Sequence, residues 1–440
     1  MLELILAAAT LAANPASEER WPQFRGPGSA GVGASDKLPL EWGPGRNVAW
    51  TAEIPGSGWS CPIVWDGRVF VTTAVPDRPE EPPQTGLYFG GERKDAPEIQ
   101  YDWRLYCLSL DDGKVVWERS LYVGKPPRGK HVKNSFASET PATDGRNVYV
   151  TVGHIGVFCV DMNGTARWKY DLAPYATTME WGTGSSPITD GGQVYVQCDN
   201  NDQSFLVALD VESGEPNWRI ERDEDTNWST PFLWKNARGV ELVTNGKRKA
   251  RAYDPATGEL LWELAGMSSI VVPTPIAGDE LLFVSSGYVM DMKNRPIFAV
   301  RPGARGDISL DKDETSSDEI AWYQRMAGSY MPTPLLYKGL LYVLYDKGLF
   351  ACYDAKTGEM VYSKKRLPQG GNFTASPWAY RDHVFCLAED GQTQVVQAGP
   401  EFKVTHMNPS LDEHLFMATP AIAGDSLLIR GSKHLYCIRE

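Results

Sequence analysis

The string YDPATGELLW at residues 253–262 is one of five copies of a single pattern, and that repetition constrains the fold more than any other feature of the chain. Looser copies are LDVESGEPNW (209–218), VDMNGTARW (160–168) and LDDGKVVW (110–117); YDAKTGEMVY (353–362) carries Tyr in the aromatic position. Each combines a turn Asp, which bonds its own backbone, with a Gly that accepts positive φ. That pair builds a hairpin and sends the following aromatic onto its second strand. A second marker accompanies the first. A hydroxyl–proline step opens each unit, as in SSPITDGGQVYVQC (185–198), PTPIAGDELLFVSS (273–286) and ATPAIAGDSLLIR (418–430).

The marker prolines are Pro62, Pro141, Pro187, Pro231, Pro275, Pro334, Pro377 and Pro420, mostly 43 to 46 residues apart. Two wider gaps, of 79 and 59 residues, point to insertions near residues 76–102 and 301–321. Period-2 alternation dominates between the markers, and no long stretch favours a helical period. A unit of this length holds four short strands, and an internal period near 40 is the signature of a radial β-propeller. The expected fold is all-β: an eight-bladed β-propeller of four-stranded antiparallel blades. The last unit stops at Glu440 before its outer strand, and NVAWTAEIP (47–55) supplies a matching strand with Trp50 in the aromatic position. Residues 47–440 thus form one domain closed by its N-terminal strand, which leaves fewer open edges to template aggregation. Residues 17–46 form a strap over it. Because blades diverge from the axis, Trp50, Trp117, Trp168, Trp218, Trp262, Trp322 and Tyr362 are expected to fill the outer gaps between neighbours.

Bulk properties exclude some partners. A net charge of −13 and a pI near 5.1 argue against nucleic acid, which needs a basic face. The local basic run GKRKAR (246–251) reads as a solvated hairpin tip. Residues 2–13 are apolar and too short to span a bilayer, so residues 1–16 suit a signal peptide, although Glu3 stands where a basic residue is usual. A periplasmic or secreted protein without a transmembrane segment is expected, acting as a monomer. No lipid-accepting cysteine follows, since the first is Cys61. Three of the seven cysteines, Cys159, Cys352 and Cys437, occupy one small-residue position of the repeat, so free thiols are expected.

The D-x-x-T-G-x-x-x-W unit resembles the PQQ-like, tryptophan-docking propeller repeat. That family includes quinoprotein alcohol dehydrogenases and the β-propeller lipoprotein of the outer-membrane barrel-assembly machinery. WPQFRGPGSAGVG (21–33), NSFASETP (134–141), WGTGSSP (181–187), NWSTP (227–231), GMSSIVVPTP (266–275), RPGARGDISL (301–310) and FTASPWAY (373–380) are similar to one exported bacterial subfamily. The resemblance implies the fold; a fold hosts many functions. The dehydrogenases imply a vicinal Cys-Cys disulfide, a Ca²⁺ site and a catalytic Asp. No two cysteines are adjacent here. The acidic runs RDEDTN (222–227) and DKDETSSDE (311–319) lack the alternation of a Ca²⁺ loop and read as solvated turns. Neither pyrroloquinoline quinone nor Ca²⁺ is expected as a cofactor.

No catalytic residue or metal ligand set stands out. The six histidines show no paired ligand spacing, and GPGSAGVG (26–33) lacks a Walker lysine and reads as a flexible strap. The residues before the marker prolines are Thr140, Ser186, Thr230, Thr274, Thr333, Ser376 and Thr419, with Cys61 as the exception. They should ring one mouth of the axis. Just upstream lie Trp59, Asn134, Phe136, Trp181, Asn227, Trp228, Tyr330, Phe373 and Phe416, the candidates for an axial binding funnel. The expected function is a non-catalytic scaffold of the cell envelope that binds a protein or glycan. The alternative is a quinoprotein-type oxidoreductase using the central funnel.

Overall fold

A computed structural model describes residues 19–80, 82–87 and 95–440. The expected signal segment at 1–16 lies outside the described residues. Eight antiparallel sheets follow one another around an axis, each beginning at its marker proline. The first takes strands Ile63–Trp65, Arg68–Pro76, Tyr101–Ser109 and Val115–Gly124. In the last, strands Ala421–Ala423, Ser426–Arg430 and His434–Ile438 are completed by Val48–Glu53, with Trp50 opposite Cys437. The ring is therefore closed by pairing chain start with chain end. Blades are numbered 1 to 8 from Ile63. Among the described residues no helix is long and apolar enough to cross a membrane.

The core lies between blades. Trp234, Val243, Ala252 and Trp262 of blade 4, for example, pack with Leu282, Val284, Phe298 and Val300 of blade 5 in one buried cluster. Towards the rim the motif closes the gap. Trp218 Nε1 donates to the Pro255 carbonyl at 3.0 Å, and a Cβ on Gly258 would lie 2.8 Å from its ring. Trp50, Trp117, Trp168 and Trp322 repeat this on Leu110, Met162, Val211 and Ala355, at 2.8 to 3.0 Å. Each indole covers the turn glycine of the next blade: Gly113, Gly164, Gly214 and Gly358. The two ends of the motif are thus the two halves of one joint. Trp262 differs, donating to Glu241 Oε2 at 2.7 Å. The second insertion explains the change: its strand Gly306–Asp307 adds to Leu260–Ala265 in parallel, giving blade 4 a fifth strand. Tyr362 packs against Phe402 of blade 7, 5.9 Å between ring centres.

The strap is pinned along its length, which corrects its reading as flexible. Trp21 exchanges two backbone bonds with Val64 of blade 1, at 2.8 and 2.9 Å. Ala379 of blade 7 donates to the Gly31 carbonyl at 3.0 Å and accepts from Gly33 at 2.9 Å. Between these anchors the fully buried Arg25 gives its guanidinium to the carbonyls of Ser29, Pro334 and Pro377. Burial lowers its pKa to about 9.

The charged runs also differ from expectation. RDEDTN and GKRKAR are not separate solvated turns; they face each other. Lys247 pairs with Asp225 at 2.8 Å and the buried Arg251 with Glu224 at 2.5 Å. Arg222, fully buried, grips Asp199 through two bonds of 2.8 and 3.0 Å. Removing one partner of such a pair would leave an uncompensated buried charge.

Candidate functional site: an aromatic funnel on the axis

Where the innermost strands begin, the residues before the marker prolines form a belt. The Cys61 amide donates to Thr140 Oγ1, the Thr140 amide to Ser186 Oγ, and so on through Thr230, Thr274, Thr333, Ser376 and Thr419. These bonds, 2.9 to 3.3 Å long, pass from blade to blade in one sense. Each hydroxyl satisfies a neighbour's buried amide. Burial pushes the Cys61 thiol up despite contacts from Thr140 and Thr419, so it stays protonated at neutral pH.

Above the belt, strand periodicity places the residue two positions earlier on the same wall. Blade by blade these are Trp59, Ser138, Gly184 and Trp228, then Val272, Met331, Thr374 and Met417. The two rings, with the entry loops above them, enclose an axial cavity of about 260 Å³. Phe24 of the strap also lines it, entering from the side on which Arg25 meets the marker prolines. The strap therefore gives the funnel its floor.

The mouth is rigidly built. Trp59 Nε1 donates to the Lys133 carbonyl at 2.9 Å, and Trp228 Nε1 to that of Gly182 at 2.8 Å. Asn134 Nδ2 donates to the carbonyls of Trp181 and Thr183 at 2.8 and 3.0 Å, joining two entry loops. Trp181 lies between Trp228 and His131, ring centres 5.9 and 5.8 Å away. Tyr288 and Tyr330 meet edge-on at 5.2 Å. The first insertion crosses this mouth: Gly86 and Leu87 line the cavity. The Gly86 amide donates to Glu389 Oε2 of blade 7 at 2.6 Å. Lys133 completes the tie, donating to Gly86 O at 2.8 Å and Glu389 Oε1 at 2.6 Å.

Of the nine funnel candidates, Trp59, Asn134, Trp181, Trp228 and Tyr330 line the cavity. The other four do not. Phe136 packs on Tyr101 and Trp103 between blades, and Asn227 is buried against Asp199 at 2.5 Å. Phe373 and Phe416 are core residues, 1% and 0% exposed. Alternation accounts for part of the split: Trp59 and Trp228 lie two residues before the belt, where the wall is, and Asn227, Phe373 and Phe416 lie three before it, whereas Tyr330, also three before, and Phe136, four before, do not follow the alternation. His131, Lys133, Tyr288 and Leu87 come from loops and an insertion that the repeat does not govern. Met331 and Met417 were findable by stepping back two residues from the belt.

A smaller cavity of about 30 Å³ lies between blades 2 and 3, lined by Glu139, His154, Thr183 and Gln197 among others. Burial raises the Glu139 carboxyl to about 7 against the hydrogen bond it accepts from Thr183, and lowers His154 to about 4. Thr183 lines both cavities.

Tryptophan-docked blades around such a funnel define a PQQ-like β-propeller repeat protein. Residues 102–294 and 304–399 match the family described as outer membrane protein assembly factor BamB, and the chain belongs to that family. Among solved structures it is similar to BamB from Moraxella catarrhalis, with 12% identity, TM-score 0.55, and coverage of 80% of this chain and 98% of that one. It is also similar to quinohemoprotein alcohol dehydrogenase from Comamonas testosteroni, with 13% identity, TM-score 0.60, and coverage of 97% and 81%. A europium-containing methanol dehydrogenase aligns with 12% identity, TM-score 0.61, and coverage of 97% and 99%. At these identities the likeness is one of fold. A tetrathionate hydrolase from Acidianus ambivalens is 22% identical over 118 residues, 25% of this chain and 22% of that protein.

The dehydrogenase neighbours raise the question of a quinone. Pyrroloquinoline quinone is a polyanion and needs compensating charge when buried. Among the described residues the cavity wall carries no Asp or Glu that would hold a metal ion against it. Its lysine, Lys133, is already paired with Glu389, and its cysteine, Cys61, has no cysteine neighbour. The residues present do not fit the quinone–metal pair.

Proposed function

We propose that this protein is a non-catalytic binding propeller of the cell envelope, whose funnel-bearing face receives a protein or glycan partner. The observation that carries this reading is the funnel wall. Indole and phenol rings stand above a belt of hydroxyls, and the described wall residues include no carboxylate. Flat rings with a few convergent polar groups suit a sugar ring or an aromatic side chain. Membership of a family named for outer-membrane protein assembly supports an envelope setting and a protein partner. The alternative, a quinoprotein-type oxidoreductase, draws on structural neighbours alone.

The test is direct. Purified protein is titrated with soluble oligosaccharides and with peptides of outer-membrane β-strands, following tryptophan fluorescence. Saturable binding by one class is expected, weakened by Trp228→Ala. In parallel, pyrroloquinoline quinone with Ca²⁺ should give no saturable binding and no dye-linked alcohol oxidation. Saturable quinone binding with oxidation would overturn the proposal in favour of the oxidoreductase.

A further inference from the structure

Outside the funnel, the fold assembles a side-chain cluster that linear spacing hides. Asp412 and His414 lie in the loop leading into blade 8, and His434 opens the strand His434–Ile438, twenty residues later in the chain. Each offers one ligand atom, a carboxylate oxygen or an imidazole nitrogen, and these atoms all lie within 4.8 Å of one another. The three side chains are half-buried, neither sealed in the core nor loose on the surface.

The cluster is partly preorganised. Asp412 Oδ1 accepts the His414 amide at 2.7 Å. Its Oδ2 faces His434 Nδ1 at 3.0 Å and accepts the Tyr436 hydroxyl. These bonds hold the Asp412 carboxyl below its ordinary value although burial alone would raise it, so it is ionised at neutral pH. The His414 imidazole makes no hydrogen bond among the described residues, yet its ring centre lies 6.1 Å from that of His434.

We propose that Asp412, His414 and His434 form a binding site for a borderline divalent transition metal such as Zn²⁺. Two imidazoles and one carboxylate suit Zn²⁺, Ni²⁺ or Cu²⁺, whereas Ca²⁺ and Mg²⁺ prefer oxygen-only shells. Ligand–metal bonds of about 2.0–2.2 Å require the three atoms to draw in slightly, which side-chain rotation on a half-buried loop allows. Three protein ligands leave a coordination position for water or a partner's side chain. The site is at the funnel-bearing end, because loops entering innermost strands and the turns that precede third strands share that end. The same loop carries Met417 of the funnel wall, and its Leu415 carbonyl accepts the Ser432 amide at 2.8 Å. A bound metal would therefore fasten one part of the mouth to the blade in which the ring closes.

Untagged full-length protein is titrated with ZnCl₂ by calorimetry at neutral pH, and with Co²⁺ by visible absorption. One saturable site at about micromolar Kd is expected, with Co²⁺ d–d bands and no sulfur charge-transfer band. His414→Ala, which removes no hydrogen bond, should weaken binding at least about tenfold while the apo thermal midpoint stays unchanged. His434→Gln, which keeps a side-chain donor within reach of Asp412, should weaken binding to a similar extent. His383→Ala, at the other close histidine pair (with His406), should leave binding unchanged. No saturable Zn²⁺ binding up to about 100 µM would overturn the proposal. So would a titration identical in the His414→Ala/His434→Gln double variant.

Discussion

Trp218 and Gly258 sit in different blades and act as one joint, so each predicts the effect of changing the other. Trp218→Ala should cost about 3–5 kcal/mol in urea unfolding, as large-to-small changes at packed sites do. Gly258→Ala should also destabilise, because φ is +77° and the new Cβ meets the indole at 2.8 Å. Combined, the two should cost less than their sum, since the alanine clash disappears with the ring. Strict additivity would separate them. Glu139 makes a second prediction at this scale. Its folded pKa of about 7 lies above the ordinary 4.5, so the stability it contributes is complete at low pH and is lost as pH rises towards and through 7. Relative to Glu139→Gln, the wild-type thermal midpoint should therefore fall between about pH 5 and pH 7.5. A constant difference across that range would show that Glu139 does not titrate there. The tryptophan was legible in the sequence because it recurs at one position in six of the eight units. Glu139 was not: it occupies a single blade, and only packing decides that a carboxylate there is buried.

Among elements, the strand Val48–Glu53 has the most exposed role. Deleting the chain through Pro55 removes it together with the strap, leaves His434–Ile438 unpaired on one side, and opens the funnel floor. Aggregation or loss of cooperative unfolding is expected by size-exclusion chromatography and urea titration. Deletion through Glu19 should leave the midpoint unchanged. A soluble, cooperatively unfolding product of the larger deletion would refute the closing role of this strand. Its place could be read from the sequence, since the last unit lacks an outer strand and Trp50 matches the motif. The first insertion could be located but not interpreted. Its Gly86 reaches Glu389 across the funnel, a contact 303 residues apart in sequence that no local pattern encodes. The pairing of RDEDTN with GKRKAR was hidden for the same reason.

For the molecule as a whole, the cysteines give the simplest check. All seven are free, and burial raises the thiols of Cys61, Cys107, Cys159, Cys352, Cys386 and Cys437. Intact mass after alkylation in denaturant without reductant should show seven additions. Two or more missing pairs would mean disulfides that this packing does not provide for. At this scale the blade count and the ring followed from the spacing of the marker prolines, because every blade repeats one hydrogen-bonding problem. The funnel was only half legible. Its wall follows the repeat, whereas its floor and cover come from the strap and an insertion, which do not.

Neither joint between neighbours is contained within one blade. At five of the eight seams the rim joint takes its indole from one unit and its glycine from the next, and the axial belt takes an amide from one and a hydroxyl from the following one. A tandem copy of such a segment arrives carrying a plug on one side and a socket on the other. It can be spliced between existing neighbours without any of them altering its own residues. Enlarging or shrinking the circle is then a question for curvature and for the two chain ends that must still meet, while the seams themselves are indifferent to how many segments they join.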